Sequence, residues 1–194
     1  MIINIRGTSG SGKSFIVKKI MADFETKISL KTPNRKQPVG YLLKHPERQS
    51  LFVPGHYETP CGGCDTLKTF DQTFELVRNA AREGNNVLLE GLLLNAEFRH
   101  TALLAQEFEV RVLALNVPLE VCLASVNRRR REKKPEATDV NPENTTSKWN
   151  QTKRCVDRLV EAGVTCHWGN REETETLARQ LLKISLNMPG SVIG

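Results

Sequence analysis

Eight residues near the start of the chain, Gly7-Thr8-Ser9-Gly10-Ser11-Gly12-Lys13-Ser14, have the types and the G-x-x-x-x-G-K-S spacing needed to hold a phosphate chain. Glycines at 7, 10 and 12 let the backbone wrap closely, so that its N–H groups can point inward at phosphate oxygens. Lys13 supplies a mobile cation to the β- and γ-phosphates of ATP, and the Ser14 hydroxyl can ligate the Mg2+ that bridges them. The run is expected to bind the nucleotide, with Lys13 also catalytic.

Two acids are the next candidates. Glu90 ends the apolar run Val87-Leu88-Leu89 and precedes Gly91. In a parallel sheet that is where an acid can orient Mg2+ or its water shell; the plainer alternative is a surface acid at a strand end. Asp65 closes the glycine-rich segment Gly55-His56-Tyr57-Glu58-Thr59-Pro60-Cys61-Gly62-Gly63-Cys64-Asp65-Thr66. It is expected to accept the proton of an attacking hydroxyl, while the glycines allow close substrate approach. As an acid near a helix start it could equally be an N-cap. Cys61 and Cys64 form C-x-x-C, but a structural zinc site needs four ligands, and only His56 and the scattered Cys122, Cys155 and Cys166 are available. A tight loop with small side chains is the preferred reading there.

The run Arg128-Arg129-Arg130-Arg131-Glu132-Lys133-Lys134 follows a helical pattern, where arginine forks could neutralise a phosphoryl group in transfer and exclude water. Arg128 and Arg131 are the expected catalytic pair. Asn170 and Arg171, after the last apolar run, are expected near the adenine.

The elements that must position these groups follow from periodicity. Ile2, Ile3 and Ile5 predict a strand before the phosphate loop, and residues 14–24 a helix after it, which puts the phosphates at a helix N-terminus. Residues 27–37, polar and basic with Pro33 and Asn34, predict a loop. Two short strands are expected at 39–43 and 51–53, a loop over 54–66, and helices over 67–82, 96–107, 119–131, 147–162 and 172–186. Buried strands are expected at 87–90, 110–115 and 164–168, and a polar loop at 135–144. Strands alternating with helices predict an α/β fold, a parallel sheet with helices on both faces, in one domain spanning 1–194 with an arginine-rich lid at about 127–147.

Composition is consistent with one domain. The 194 residues are 39% hydrophobic, enough for a single buried core. No apolar run approaches the roughly 20 residues of a membrane span, and the first residues read as a strand rather than a cleavable signal. With five cysteines in no repeating framework, these features predict a soluble, cytoplasmic protein. The net charge of +6 is unevenly spread: residues 1–57 hold ten Lys or Arg against three acidic residues, and the arginine run forms a second basic region. Two such regions could follow a polyanion, or could be a solvated face.

Taken together, GTSGSGKS, VLLEG and the arginine-rich lid resemble the P-loop nucleoside and nucleotide kinase superfamily over nearly the whole chain. The loop GHYETPCGGCDT is similar to that of the bacteriophage 5-hydroxymethyldeoxyuridine DNA kinases. That resemblance implies transfer of the ATP γ-phosphate to the hydroxymethyl group of 5-hydroxymethyluracil already within DNA, a step toward hypermodified thymine. If the base is flipped from a duplex, Tyr57, Phe52 and Trp149 are candidates to stack on it. The alternatives are a kinase of free nucleosides or nucleoside monophosphates, and a non-catalytic P-loop binding module.

Overall fold

In the computed structural model, which describes residues 1–33, 35–59 and 62–184, seven strands form one sheet in the order β2-β3-β4-β5-β1-β6-β7. The strands are β1 (Ile2–Arg6), β2 (Thr26–Leu30), β3 (Gly40–His45), β4 (Arg48–Pro54), β5 (Asn86–Glu90), β6 (Val110–Leu115) and β7 (Thr165–Gly169). Six α-helices intervene: α1 (Lys13–Met21), α2 (Phe70–Arg82), α3 (Arg99–Glu107), α4 (Leu119–Lys133), α5 (Pro142–Glu161) and α6 (Arg171–Leu181).

The expected parallel sheet needs correction at one edge. Strands β4, β5, β1, β6 and β7 are parallel, whereas β2 and β3 add on as antiparallel strands, so the sheet is mixed. Strand β2 lies mostly within the segment expected to be a loop, 27–37, and starts one residue before it. Its residues are all exposed and it pairs only with β3, so Thr26-Lys27-Ile28-Ser29-Leu30 carries no buried run to betray it. Lysine on such an edge discourages further strand pairing.

The central strands are covered on both sides, and side-chain alternation sorts the two cores. Ile3 and Ile5 of β1, with Leu88, Leu113 and Leu115, face Ile16, Val17 and Ile20 of α1 and Ala178 and Leu182 beside them. Ile2, with Val87, Leu89, Val110 and Val112, faces Phe74 and Val77 of α2, Leu104 of α3, and Val156 and Leu159 of α5. Phe52 lies in this second core and Tyr57 in the first, 3% and 5% exposed. Neither is available to stack on a base, which corrects that expectation; Trp149 on α5 is half-buried.

Several boundaries also move. Helix α2 starts at Phe70 rather than 67, because the Thr69 side chain accepts the Gln72 N–H and caps it. Helix α5 starts at Pro142, inside the expected loop, with Asn141 as N-cap and proline at its first position. Asn34, Cys61 and the last residues of the expected helix 172–186 lie outside the described residues.

Candidate active site

The site assembles at the carboxyl ends of the parallel strands. Strand β1 runs into the phosphate loop, and α1 begins at Lys13, so the first N–H groups of the helix have no intrahelical partner and are available to an anion. Lys13 is buried and folds back over the loop, its ammonium donating to the Gly7 carbonyl and, at 3.3 Å, to that of Thr8. Burial lowers its pKa, opposed by the charges of Glu90 and Asp65.

Four separate elements brace the loop. The Asn95 carboxamide accepts the Gly7 N–H at 3.0 Å and donates to the Gly7 carbonyl at 2.7 Å. Arg171 at the start of α6 donates to the Ser11 carbonyl at 2.7 Å and to that of Gly10 at 3.0 Å. The Thr8 hydroxyl donates to the Thr145 carbonyl of α5 at 3.2 Å. Gly10, at φ +82°, presses against the Cys122 backbone of α4 so closely that a Cβ would overlap the carbonyl oxygen. Asn170 caps α6, its side chain accepting the N–H groups of Glu172 and Glu173. The pair expected at the adenine is thus occupied within the chain, Arg171 with the loop and Asn170 with a helix end.

Glu90 at the end of β5 meets Ser14 in the first turn of α1, the Ser14 hydroxyl donating to Oε1 at 2.8 Å. The carboxylate is 2% exposed, and burial raises its pKa against the lowering effects of Lys13 and the Ser14 bond. Gly63 packs directly on it: at φ +76° its backbone leaves no room for a Cβ beside Oε1. The buried Tyr57 hydroxyl also faces Glu90, close enough for the two to couple, though no hydrogen bond of ordinary geometry joins them. The glycines of the 54–66 loop therefore fold that loop onto itself and onto Glu90; the approach they permit is internal.

Asp65 is not the N-cap of α2. It lies in the 3-10 turn Cys64–Thr66, and its two carboxylate oxygens accept the backbone N–H groups of Leu92 at 2.6 Å and Leu93 at 2.9 Å. It sits within electrostatic reach of Lys13 and Glu90. Because Leu92 and Leu93 shortly precede Asn95, Asp65 and the phosphate loop grip the same short segment after β5. Cys64 is buried, its thiol pKa pushed well up by burial, and the His56 ring accepts the Glu58 N–H at Nδ1 and shares a hydrogen bond with the Thr59 hydroxyl at Nε2. Among the described residues no group of three or more His, Cys, Asp and Glu is arranged to hold a metal. The residues that fit a divalent cation are Ser14 and Glu90, a hydroxyl beside a buried carboxylate.

The segment expected to form a lid joins α4 and α5 as a helical hairpin. The Asn127 side chain accepts the Val140 N–H at 2.9 Å, and Arg131 pairs with Asp139. Arg128 and Arg131 point outward, their side chains 75% and 56% exposed, and Arg128 pairs with Glu132 at 3.7 Å. Arg129 is half-buried and is the lid arginine whose charge bears on Lys13. The reason is periodic: Arg129 lies seven residues after Cys122, on the stripe of α4 that contacts the phosphate loop. That spacing could have selected Arg129 from the sequence. Asn95 had no such signal, being one amide in an apolar stretch.

The chain has relatives among known proteins. A family model described as "AAA domain" matches residues 2–159. The chain is 44% identical over 183 residues, 94% of its own length and 97% of the relative's, to a protein of Pseudomonas phage PaMx11 named "5-hmdU DNA kinase". It is 26% identical over 187 residues to a protein of the same name from Delftia phage PhiW-14, covering 88% of this chain and 68% of that one. Among solved structures, deoxyadenosine kinase from M. mycoides shares 14% identity, with a TM-score of 0.48 over 94% of this chain and 98% of that one. The chain is a P-loop phosphotransferase of α/β fold. It belongs to the family of the phage 5-hmdU DNA kinases.

Proposed function

We propose that the chain transfers the γ-phosphate of ATP to the hydroxymethyl oxygen of 5-hydroxymethyluracil within DNA, in the cytoplasm of an infected host. The observation that carries the reading is the 44% identity to the PaMx11 protein over nearly the full length of both chains. The placement of Asp65 beside the Lys13, Ser14 and Glu90 centre supports it chemically.

The phosphate loop from Gly7 to Ser14 holds the triphosphate, with Lys13 and Arg129 opposing the charge that gathers on the γ-phosphoryl group. Ser14 and Glu90 would hold Mg2+, which would supply charge neutralisation to the triphosphate. Asp65 accepts the hydroxyl proton as that oxygen bonds to phosphorus, and the bond from phosphorus to the β-γ bridging oxygen breaks, releasing ADP. Its two N–H partners hold the carboxylate still while leaving lone pairs for the substrate hydroxyl. Arg128 and Arg131, on the outer face of the lid, serve the DNA backbone.

Incubation with labelled ATP and a panel of free nucleosides, nucleoside monophosphates, thymine DNA and 5-hydroxymethyluracil DNA tests this. Only the last is expected to become labelled. Efficient labelling of a free monophosphate, with none on the modified DNA, would replace the reading with a nucleotide kinase.

A further inference from the structure

A cleft lies on the outer side of Asp65, between the turn Cys64–Thr66, the start of α2 and the 3-10 turn Leu93–Ala96. Asp65, Leu67, Lys68, Phe70, Thr73 and Leu93 line it. Two of these are apolar side chains that the fold leaves in water: Phe70 is 38% exposed and Leu93 56%. Neither completes one of the two cores. Phe70 is nonetheless held in place. The Thr69 cap fixes the first turn of α2, and the Phe70 ring packs against His100 at 6.1 Å between centroids. His100 in turn is tied to Glu97 and Asp71 at 3.1 and 3.0 Å. An aromatic ring fixed on one side and open on the other is a stacking platform.

The surroundings of the cleft are ordered chemically. The Asp65 carboxylate is part of its lining and lies within electrostatic reach of Glu90 and Lys13. Two cations are close by: Lys68, exposed on the cleft wall, and Arg35, whose guanidinium donates to the Thr66 carbonyl and so is anchored beside the same turn. Apolar faces beside an acid and two cations match a planar base that carries a hydroxyl on one edge and phosphates on either side.

We propose that this cleft receives the acceptor pyrimidine, turned out of the DNA stack, with its ring between Phe70 and Leu93, its hydroxymethyl group at Asp65, and its flanking phosphates at Lys68 and Arg35. The inference rests on the DNA-kinase reading and adds to it the location of the base. It also supplies the stacking aromatic that Tyr57 and Phe52, both in the core, cannot be.

Two measurements on the full chain test it. In the first, duplex DNA carrying 5-iodouracil at the target position is photocrosslinked to the unsubstituted protein, and the adduct is mapped by mass spectrometry. It is expected on Phe70. An adduct confined to Trp149 or to another element overturns the cleft. In the second, Phe70→Ala and, on the opposite wall, Leu93→Ser are assayed on 5-hydroxymethyluracil DNA. Each is expected to raise the KM for that DNA by about tenfold, the scale of one lost base-stacking contact. The KM for ATP and the binding of thymine DNA should stay within about twofold, and Phe70→Tyr should restore activity. An unchanged KM for the modified DNA in both variants overturns the proposal. The unsubstituted protein separates the two levels: if it labels no modified DNA, the reading beneath has failed; if it does and the variants match it, only the cleft has.

Discussion

The side chain of Asn95 forms a closed pair of hydrogen bonds with the backbone of Gly7, accepting its N–H and donating to its carbonyl across 88 residues of sequence. Gly7 opens the phosphate loop and also accepts from Lys13, so the position of the cradle depends on a residue of the segment after β5. Asn95→Ala removes both bonds, leaving the buried Gly7 N–H unpaired and its carbonyl with Lys13 alone. A stability loss of roughly 2–3 kcal/mol is expected in urea unfolding, with weaker ATP binding. An unchanged ATP affinity would show that the loop holds its shape without this clamp.

Lys13→Ala should abolish transfer while the chain remains folded. Its ammonium bonds only to carbonyls of its own loop, so the loss concerns the loop and the nucleotide rather than the core. Turnover within about tenfold of the parent would mean that Lys13 stabilises no transition-state charge.

Glu90 links stability to pH. Its folded-state pKa is raised above the ordinary carboxylate range by burial. Between those two values the folded chain keeps a proton that the unfolded chain has released. Stability without metal should therefore fall as pH rises through that window, by at most about 1.4 kcal/mol per pH unit for this single group. Glu90→Gln should flatten that part of the profile in urea melts at successive pH values. It should also raise the Mg2+ concentration needed for half-maximal turnover; a variant with the parent's Mg2+ response would remove Glu90 from the metal shell.

Asp65→Asn should lower kcat by roughly a hundredfold or more and leave DNA binding nearly unchanged. The amide keeps one oxygen for Leu92 or Leu93, so part of the anchor survives. If kcat is preserved, Asp65 is an anchor only.

The lid arginines should separate by face. Arg129→Ala, on the stripe facing Lys13, should reduce kcat, whereas Arg128→Ala with Arg131→Ala should weaken DNA binding and flatten its salt dependence by about one logarithmic unit per lost phosphate contact. Equal effects of the two sets on kcat would erase this distinction.

What could be read from the sequence was what neighbours along the chain decide. The phosphate loop, Ser14, Glu90 at the end of its strand, and the succession of buried strands and amphipathic helices all follow from local spacing, because the period of burial is imposed residue by residue. Strand β6 was expected at 110–115 and is found at Val110–Leu115, since it is apolar and bounded by turn residues. Tertiary structure decided what depends on partners distant in sequence. Strand β2 exists through hydrogen bonds to β3, and its exposed side chains leave no pattern of burial. Tyr57 and Phe52 resemble binding aromatics in sequence and are core residues in space. Asp65 resembles a cap for the helix that follows it, yet bonds to backbone 27 and 28 residues away. Backbone polar groups must find partners wherever the fold brings them, and the identity of those partners is not encoded in neighbouring residues.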